Sequence, residues 1–178
     1  MYIKIGISGV PGSGKTTVVK KVIELLKEEY TLGGIITDEI RGDEREGFML
    51  IDVSTLETAV LASKNIQSRY RVGKYGVDIR VLDDLGVKAL DEAMNKDIIV
   101  IDEIGKMEME SKKFVERVRE ILHMEKNLIM TLNKKSRNPL LQEIRRMDDI
   151  RFLEVTVVNR NVMPYKIVDM IKNELNRK

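Results

Sequence analysis

Eight residues near the N-terminus have the types and the spacing that bind a chain of phosphates. Residues 9–16 read Gly-Val-Pro-Gly-Ser-Gly-Lys-Thr and fit the pattern G-x-x-x-x-G-K-[ST] at every fixed position. The glycines allow a tight turn whose backbone N–H groups point at phosphate oxygens, and the start of the following helix adds a partial positive charge. Lys15 would reach the β- and γ-phosphates, and the Thr16 hydroxyl would ligate Mg²⁺. The segment therefore predicts a site for a nucleoside triphosphate with Mg²⁺.

Two carboxylates follow a short apolar segment in the middle of the chain. Residues 98–101 are Ile-Ile-Val-Ile, which predicts a fully buried strand, and Asp102 and Glu103 come directly after it. Ligands of α/β sheets bind at the carboxyl ends of the strands. Asp102 would act on Mg²⁺ through water, and Glu103 would polarise an attacking water within hydrogen-bond reach. The pair therefore favours hydrolysis over binding alone.

Polar and basic residues follow another predicted strand, residues 128–132. Thr131 and Asn133 lie at its end, where they could sense the γ-phosphate or orient water, and Arg137 follows closely. An arginine beside the developing charge accelerates phosphoryl transfer by about 10³-fold or more, so we assign Arg137 to catalysis. Other basic residues could take the same role: Lys134, Lys135, Arg41, Arg45, Lys74 and Arg80.

The elements that must position these residues alternate between apolar, β-branched segments and segments of helical period. This is the pattern of βαβ units with a mostly parallel sheet covered on both faces. The predicted strands are residues 3–8, 32–37, 98–101, 128–132 and 152–158, and the predicted helices are residues 15–29, 83–95, about 114–122, 139–147 and 164–175. Two further short strands, residues 48–53 and 58–62, predict an antiparallel insertion.

The order of these elements separates two kinds of P-loop protein. A βα unit lies between the first strand and the strand that precedes Asp102, as in P-loop ATPases whose Walker-B strand does not follow the first strand directly. A Ras-like GTPase is disfavoured because residues 133–136, Asn-Lys-Lys-Ser, lack the Asp of the guanine-reading motif.

Length and composition predict one domain over residues 1–178 and exclude several classes. The net charge of +2 gives no global argument for nucleic acid. The absence of Cys and the single His exclude a disulfide framework and thiolate or poly-His metal sites. The N-terminus lacks the features of a signal peptide, and no apolar run approaches the roughly 18 residues of a membrane span. We therefore expect a cytoplasmic protein without membrane contact.

Five segments resemble the signatures of one family. They are residues 33–41 (GGIITDEIR), 45–48 (REGF), 72–77 (VGKYGV), 102–108 (DEIGKME) and 155–160 (VTVVNR). With the phosphate loop, they make the chain similar over nearly its whole length to the thermophilic nucleoside-triphosphatase family of P-loop proteins, whose members include the human cancer-related nucleoside triphosphatase. The resemblance implies Mg²⁺-dependent hydrolysis of nucleoside triphosphates to diphosphate and phosphate, with broad base tolerance. It also implies a RecA-like fold, with a mostly parallel sheet flanked by helices and a short antiparallel insertion.

The family pattern also implies which residues bind the nucleotide. The phosphate loop binds phosphates, residues 99–106 form a second contact segment, and the last signature lies near the base. The implied set is Gly9, Val10, Pro11, Gly12, Ser13, Gly14, Lys15, Thr16, Thr17, Ile99, Val100, Ile101, Asp102, Glu103, Ile104, Gly105, Lys106, Asn159 and Arg160. Relatives often have Thr-x-His where this chain has Thr131-Leu132-Asn133; the amide of Asn133 can still orient a water.

Three functions fit these residues. The first is a nucleoside-triphosphatase whose catalytic residues are Lys15, Glu103 and Arg137 and whose metal ligands are Thr16 and Asp102. The second is a small nucleotide or nucleic-acid kinase in which basic loop residues clamp the acceptor. The third is a nucleotide-operated binding module, for example for RNA, although the composition gives nucleic acid no support. We favour the first function because it explains Glu103 best. We also expect the protein to act as a monomer.

Overall fold

A single sheet of nine strands runs through the part of the chain that the computed structural model describes, residues 1–176. The strands are β1 (Lys4–Gly9), β2 (Leu32–Arg41), β3 (Arg45–Asp52), β4 (Thr58–Ser63), β5 (Arg71–Val72), β6 (Tyr75–Val77), β7 (Ile98–Ile104), β8 (Asn127–Asn133) and β9 (Ile150–Glu154). The helices are α1 (Lys15–Leu26), α2 (Ile79–Val81), α3 (Val87–Ala93), α4 (Lys112–Leu122), α5 (Pro139–Arg145) and α6 (Met163–Leu175). A π-helical turn (Leu82–Gly86) joins α2 to α3, and a 3₁₀ turn (Glu108–Glu110) precedes α4.

The strand order brings together the carboxyl ends of β1, β8 and β7, which carry the candidate site residues. The order is β5-β6-β4-β3-β2-β7-β8-β1-β9, in which β2, β7, β8, β1 and β9 are parallel and the other four strands are antiparallel. In register, Gly9 pairs with Asn133 across β1 and β8, and Ile101 pairs with Met130 across β7 and β8. The mostly parallel α/β fold with an antiparallel insertion is confirmed, and β8 separates β1 from β7.

Helices cover both faces of the parallel strands, so alternate residues of one strand enter two different cores. Ile98 and Val100 of β7 pack in the core that contains α1 and α6. Ile99 and Ile101 pack in the opposite core, which contains α3 and α4. Because both faces are buried, the strand reads as a continuous apolar run rather than an alternating one. The same packing fixes α1, whose Val18, Val19, Val22 and Leu26 are buried.

The prediction of a last strand over residues 152–158 is wrong at its carboxyl end. β9 ends at Glu154, although the amide of Val155 still donates to the carbonyl of Ser8 at 2.8 Å. Thr156 and Asn159 then close a turn reciprocally: the Thr156 amide donates to Asn159 Oδ1 at 2.9 Å, and the Asn159 amide donates to Thr156 Oγ1 at 3.3 Å. These local bonds compete with strand pairing and leave Val157 and Val158 exposed.

Two other predicted boundaries also differ. The helix predicted over residues 83–95 begins earlier, at Ile79, because the Asp78 carboxylate caps it by accepting from the Arg80 amide at 3.2 Å. The hairpin of β5 and β6 was not predicted; its turn is made possible by Gly73, whose φ is 59°. In the described residues, no helix combines the length and apolar character of a membrane-spanning segment.

Candidate active site

The phosphate loop takes the conformation that its glycines permit. The amide of Ser13 donates to the carbonyl of Val10 at 3.1 Å, which closes the turn between β1 and α1. Gly14 is the N-cap of α1 and has φ 104° and ψ 21°, a left-handed conformation that favours glycine. Since Gly14 offers no side chain to cap the helix, the first-turn N–H groups can hydrogen bond to an anion.

Lys15 is held in the loop by the backbone around it. Its side chain is buried, and its Nζ donates to the carbonyls of Gly9 at 2.8 Å and Val10 at 3.3 Å. Oε2 of Glu103 lies 3.9 Å from the same ammonium. The ammonium thus lies between the carbonyls of the loop and the carboxylate of Glu103.

Asp102 joins three elements at the carboxyl edge of the sheet. Its carboxylate is fully buried and accepts hydrogen bonds from Thr131 Oγ1 of β8 at 2.6 Å and from Thr16 Oγ1 of α1 at 2.9 Å. The pKa of Asp102 is raised to about 7, chiefly by burial and also by the adjacent Glu103, while the two threonine hydroxyls and Lys15 oppose the rise by favouring the ionised form. A divalent cation at this carboxylate would also favour the ionised form.

The donor atoms around Asp102 fit Mg²⁺. The Thr16 hydroxyl and the Asp102 carboxylate are hard oxygen ligands that meet at one point, and Mg²⁺ is usually held by one or two such protein groups together with substrate phosphates and water. The hydroxyl of Ser13 is buried nearby in the loop without a hydrogen-bond partner, which fits a site for a phosphate oxygen. Among the described residues there is no group of three or more His, Cys, Asp or Glu side chains that could hold a metal ion.

Glu103 faces the phosphate loop from the end of β7. Its side chain is partly buried and retains 30% of its exposure, so water can reach the carboxyl group. Burial raises the pKa of Glu103, and the charge of Lys15 opposes that rise. A carboxylate with a raised pKa accepts a proton more readily near neutral pH, which suits a base that orients water.

The second contact segment divides into buried and accessible parts. Ile99, Val100 and Ile101 are fully buried in the two cores, so their side chains support the strand. Lys106 is exposed just beyond the end of β7. Thr17, in the first turn of α1, is also exposed. Of this segment, Asp102 and Glu103 are the residues whose polar groups meet the phosphate loop.

Arg137 lies in the loop between β8 and α5, and its side chain is exposed. The loop is ordered by Arg145, which donates to the carbonyls of Ser136 at 2.8 Å and Asn133 at 3.2 Å. Oδ1 of Asn133 accepts from the Lys135 amide at 3.0 Å, so the NH₂ of Asn133 is the group it can offer to a water or phosphate. The role of Arg137 stays a prediction, because the described contacts do not join it to Lys15 or Asp102.

Several competing basic residues have acidic partners elsewhere. Arg41 and Arg45 both pair with Glu39, at 2.7 Å and 3.1 Å. Lys134 forms an ion pair with Glu154. Arg80 pairs with Asp78 at 3.3 Å. Four of the six alternatives to Arg137 thus form ion pairs with acidic residues.

Arg160 lies against the phosphate loop. A methyl group built on Gly14 would be 3.0 Å from Cδ of Arg160, so the stem of this exposed arginine crosses the N-terminus of α1. The side chain of Asn159 is bonded to nearby backbone: besides the bond from the Thr156 amide, its Nδ2 donates to the Glu154 carbonyl at 2.8 Å. Asn159 therefore shapes the turn that brings Arg160 to the loop.

The sequence did not predict that Glu108, an acid near the site, is buried. It begins the 3₁₀ turn after β7, is 1% exposed, and lies 3.5 Å from the hydroxyl of Thr37. It belongs to the signature segment at residues 102–108, which is the one sequence signal that could have drawn attention to it. Nothing in its spacing from Asp102 indicates that it is buried.

A glycine-rich loop between a parallel strand and a helix, with a buried lysine and with a threonine hydrogen-bonded to a buried aspartate of another parallel strand, defines the site of a P-loop NTPase. A sequence model of a family described as NTPase matches residues 4–168. The nucleoside-triphosphatase THEP1 of Thermotoga maritima is 42% identical over 172 residues, which are 96% of each chain. The chain belongs to this nucleoside-triphosphatase family and is a hydrolase, so the resemblance seen in the sequence is confirmed.

Other relatives agree in sequence and in fold. The nucleoside-triphosphatase THEP1 of Picrophilus torridus is 34% identical over 175 residues, 97% of each chain. The crystal structure of THEP1 from Aquifex aeolicus superposes with a TM-score of 0.88 at 37% identity, over 96% of this chain and 99% of that one. The solution structure of a human cancer-related nucleoside triphosphatase gives 0.82 at 31% identity, over 99% and 100% of the two chains.

Proposed function

We propose that this nucleoside-triphosphatase is Mg²⁺-dependent and tolerates different bases, with Glu103 as the residue that orients the attacking water. The observation that supports this most directly is the Lys15–Glu103 pair, in which a phosphate-binding ammonium and an accessible carboxylate stand 3.9 Å apart at the mouth of the loop. That residues 1–178 act as a single domain, as a monomer and in the cytoplasm stays a prediction from the sequence.

Each residue of the pair has a distinct part in the reaction. The loop amides and Lys15 would hold the β- and γ-phosphates, and Glu103 would accept a hydrogen bond from water and orient its oxygen toward the γ-phosphorus. Mg²⁺ held by Thr16 and Asp102 would neutralise charge on the phosphate oxygens. Phosphate would leave with the water's oxygen, and the nucleoside diphosphate would remain on the loop until release.

Base tolerance is supported by the side chains that follow β9. Val157 and Val158, which are 65% and 94% exposed, are apolar and offer no donor or acceptor to a base edge. The amide group of Asn159, which could read such an edge, is bonded within its own turn. Exposed valines discriminate weakly between bases, because strong discrimination arises when a polar group of the site is left unpaired in the wrong complex.

Phosphate release from ATP, GTP, CTP and UTP tests the proposal. We expect kcat/KM values within about tenfold of one another. Contacts to the base should differ between these substrates by less than about 1.4 kcal/mol, which corresponds to a tenfold ratio. Chelation of divalent cations should abolish release, and Mg²⁺ should restore it. Release that requires an added hydroxyl or phosphate acceptor would indicate a kinase instead, and activity on one base alone would contradict base tolerance.

Replacing Arg137 by Ala should lower kcat by about 100-fold or more if this arginine contacts the developing charge, with little change in nucleotide affinity. Steady-state kinetics and equilibrium nucleotide binding give the two quantities. Arg146→Ala, an exposed arginine at the far end of α5, is the charge-matched control and should behave as wild type. An effect confined to affinity would make Arg137 a binding residue.

A further inference from the structure

Glu108 is a buried carboxyl group for which the proposed reaction has no role so far. It is 1% exposed at the start of the 3₁₀ turn, and the hydroxyl of Thr37, in the middle of β2, donates to its Oε1 at 3.5 Å. A carboxyl group removed from water is costly unless other groups compensate for the lost solvation. Its position beside the end of β7 therefore calls for an explanation beyond surface charge.

The position of Gly105 shows how Glu108 is placed relative to Glu103. A methyl group built on Gly105 would lie 2.9 Å from Oε1 of Glu103 and 3.4 Å from Oε2 of Glu108. The two carboxyl groups thus converge on the same side of one α-carbon. Gly105 leaves the space that lets them do so.

Burial and the acidic residues nearby both favour the neutral form of Glu108. Burial, followed by the adjacent charges of Glu103 and Asp102, raises the pKa of Glu108 to about 8, while the backbone amides of Gly105 and Glu108 oppose the rise. At neutral pH most molecules then carry a carboxylic acid here, which can donate a hydrogen bond without adding a negative charge beside the triphosphate.

We propose that Glu108 is a positioning residue for hydrolysis, whose buried carboxyl group, between Thr37 and Gly105, holds Glu103 in the orientation that faces Lys15. Glu108 touches neither substrate nor metal and acts through Glu103. The inference rests on the proposed function of Glu103 as the water-orienting base. It explains why residue 108 is a buried acid. It also explains why residue 105, whose α-carbon both carboxyl groups approach, is a glycine.

The test compares three variants at neutral pH. Glu108→Ala should lower kcat by about 10- to 100-fold with a small change in KM, because a misplaced catalytic group costs rate more than binding. Glu108→Gln, a neutral isostere that can still donate, should stay within about threefold of wild type. Glu110→Ala is the matched control, since Glu110 is an exposed acid on the same turn and should leave both constants unchanged.

A double-mutant cycle separates positioning from general structural damage. In a Glu103→Gln background, Glu108→Ala should cost less than about twofold in kcat, because the residue it positions is no longer a base. Equal losses in both backgrounds would overturn the proposal, as would an unchanged kcat for Glu108→Ala. Failure of the proposed function would appear differently, as an unchanged rate for Glu103→Gln alone.

A second pair of variants decides the matter if Glu108→Ala does not fold. Glu108→Asp keeps the acid but withdraws it, so it should lose activity while Glu108→Gln retains it. An active Asp variant beside an impaired Gln variant would show that acidity rather than placement matters and would overturn the proposal. Thermal unfolding of each variant identifies those that are folded.

Discussion

Glu103→Gln is expected to slow hydrolysis by about 10³-fold or more while nucleotide affinity changes little, because general-base catalysis contributes roughly 10²- to 10⁴-fold and an amide cannot accept the proton. The side chain keeps its size, so the loop and the position of Lys15 should be preserved. Removing a partly buried negative charge also removes a repulsion toward Asp102 and toward the triphosphate. Affinity should therefore be equal or slightly higher.

Single-turnover phosphate release and equilibrium binding of the triphosphate measure the two effects separately. Bound but uncleaved triphosphate should accumulate on the variant, whereas the wild type should turn it over. Exposed Glu110→Gln serves as the isosteric control on the same segment and should leave the rate unchanged. A normal rate in Glu103→Gln would assign the base to another residue, and a loss confined to affinity would make Glu103 a binding group.

The phosphate loop could be predicted in full because its requirements are local. A turn with Gly14 in the left-handed region and Lys15 at the start of a helix depends on the identity of neighbouring residues, which the sequence shows directly. Asp102 was predictable for a related reason. An acid that follows an apolar run near the carboxyl end of a parallel strand lies close to the carboxyl edge of the sheet, where the loop after β1 also lies.

Other features depend on tertiary packing that the sequence does not show. Glu108 follows β7 as an ordinary acid would, but in the folded protein it is 1% exposed and lies 3.5 Å from the hydroxyl of Thr37 in β2. The valines after β9 continue an apolar, β-branched pattern, so the sequence predicts a strand that is longer than the observed one. The bonds between Thr156 and Asn159 end it, because two side chains three residues apart satisfy the backbone locally.

The same distinction explains why Arg137 is harder to assign than Lys15. Lys15 is fixed by bonds to two carbonyls of its own loop, and that arrangement follows from the motif. Arg137 lies in a loop whose backbone is held by Arg145, while its own side chain extends into solvent. A long side chain in solvent takes its position from the ligand it meets, so its role depends on the bound nucleotide rather than on the loop.

Lys15→Ala should abolish turnover and weaken triphosphate binding by about 100-fold or more, since ion pairs with phosphate inside a partly buried site are worth several kcal/mol. The change removes the ammonium and leaves three oxygen groups without it: the carbonyls of Gly9 and Val10 and the carboxylate of Glu103. These oxygens would then face the phosphates and repel them. Alanine is favourable in a helix, so α1 should still form.

Binding of Mg²⁺ with the triphosphate, followed by calorimetry, and phosphate release at saturating substrate measure the result. Lys27→Ala, at the exposed end of the same helix, is the charge-matched control and should bind and hydrolyse as wild type. Retained turnover in Lys15→Ala would refute the assignment of the phosphate loop. Because Lys15→Ala should lose affinity and rate together while Glu103→Gln should lose rate alone, the contrast between the two variants separates the group that holds the triphosphate from the group that acts on water.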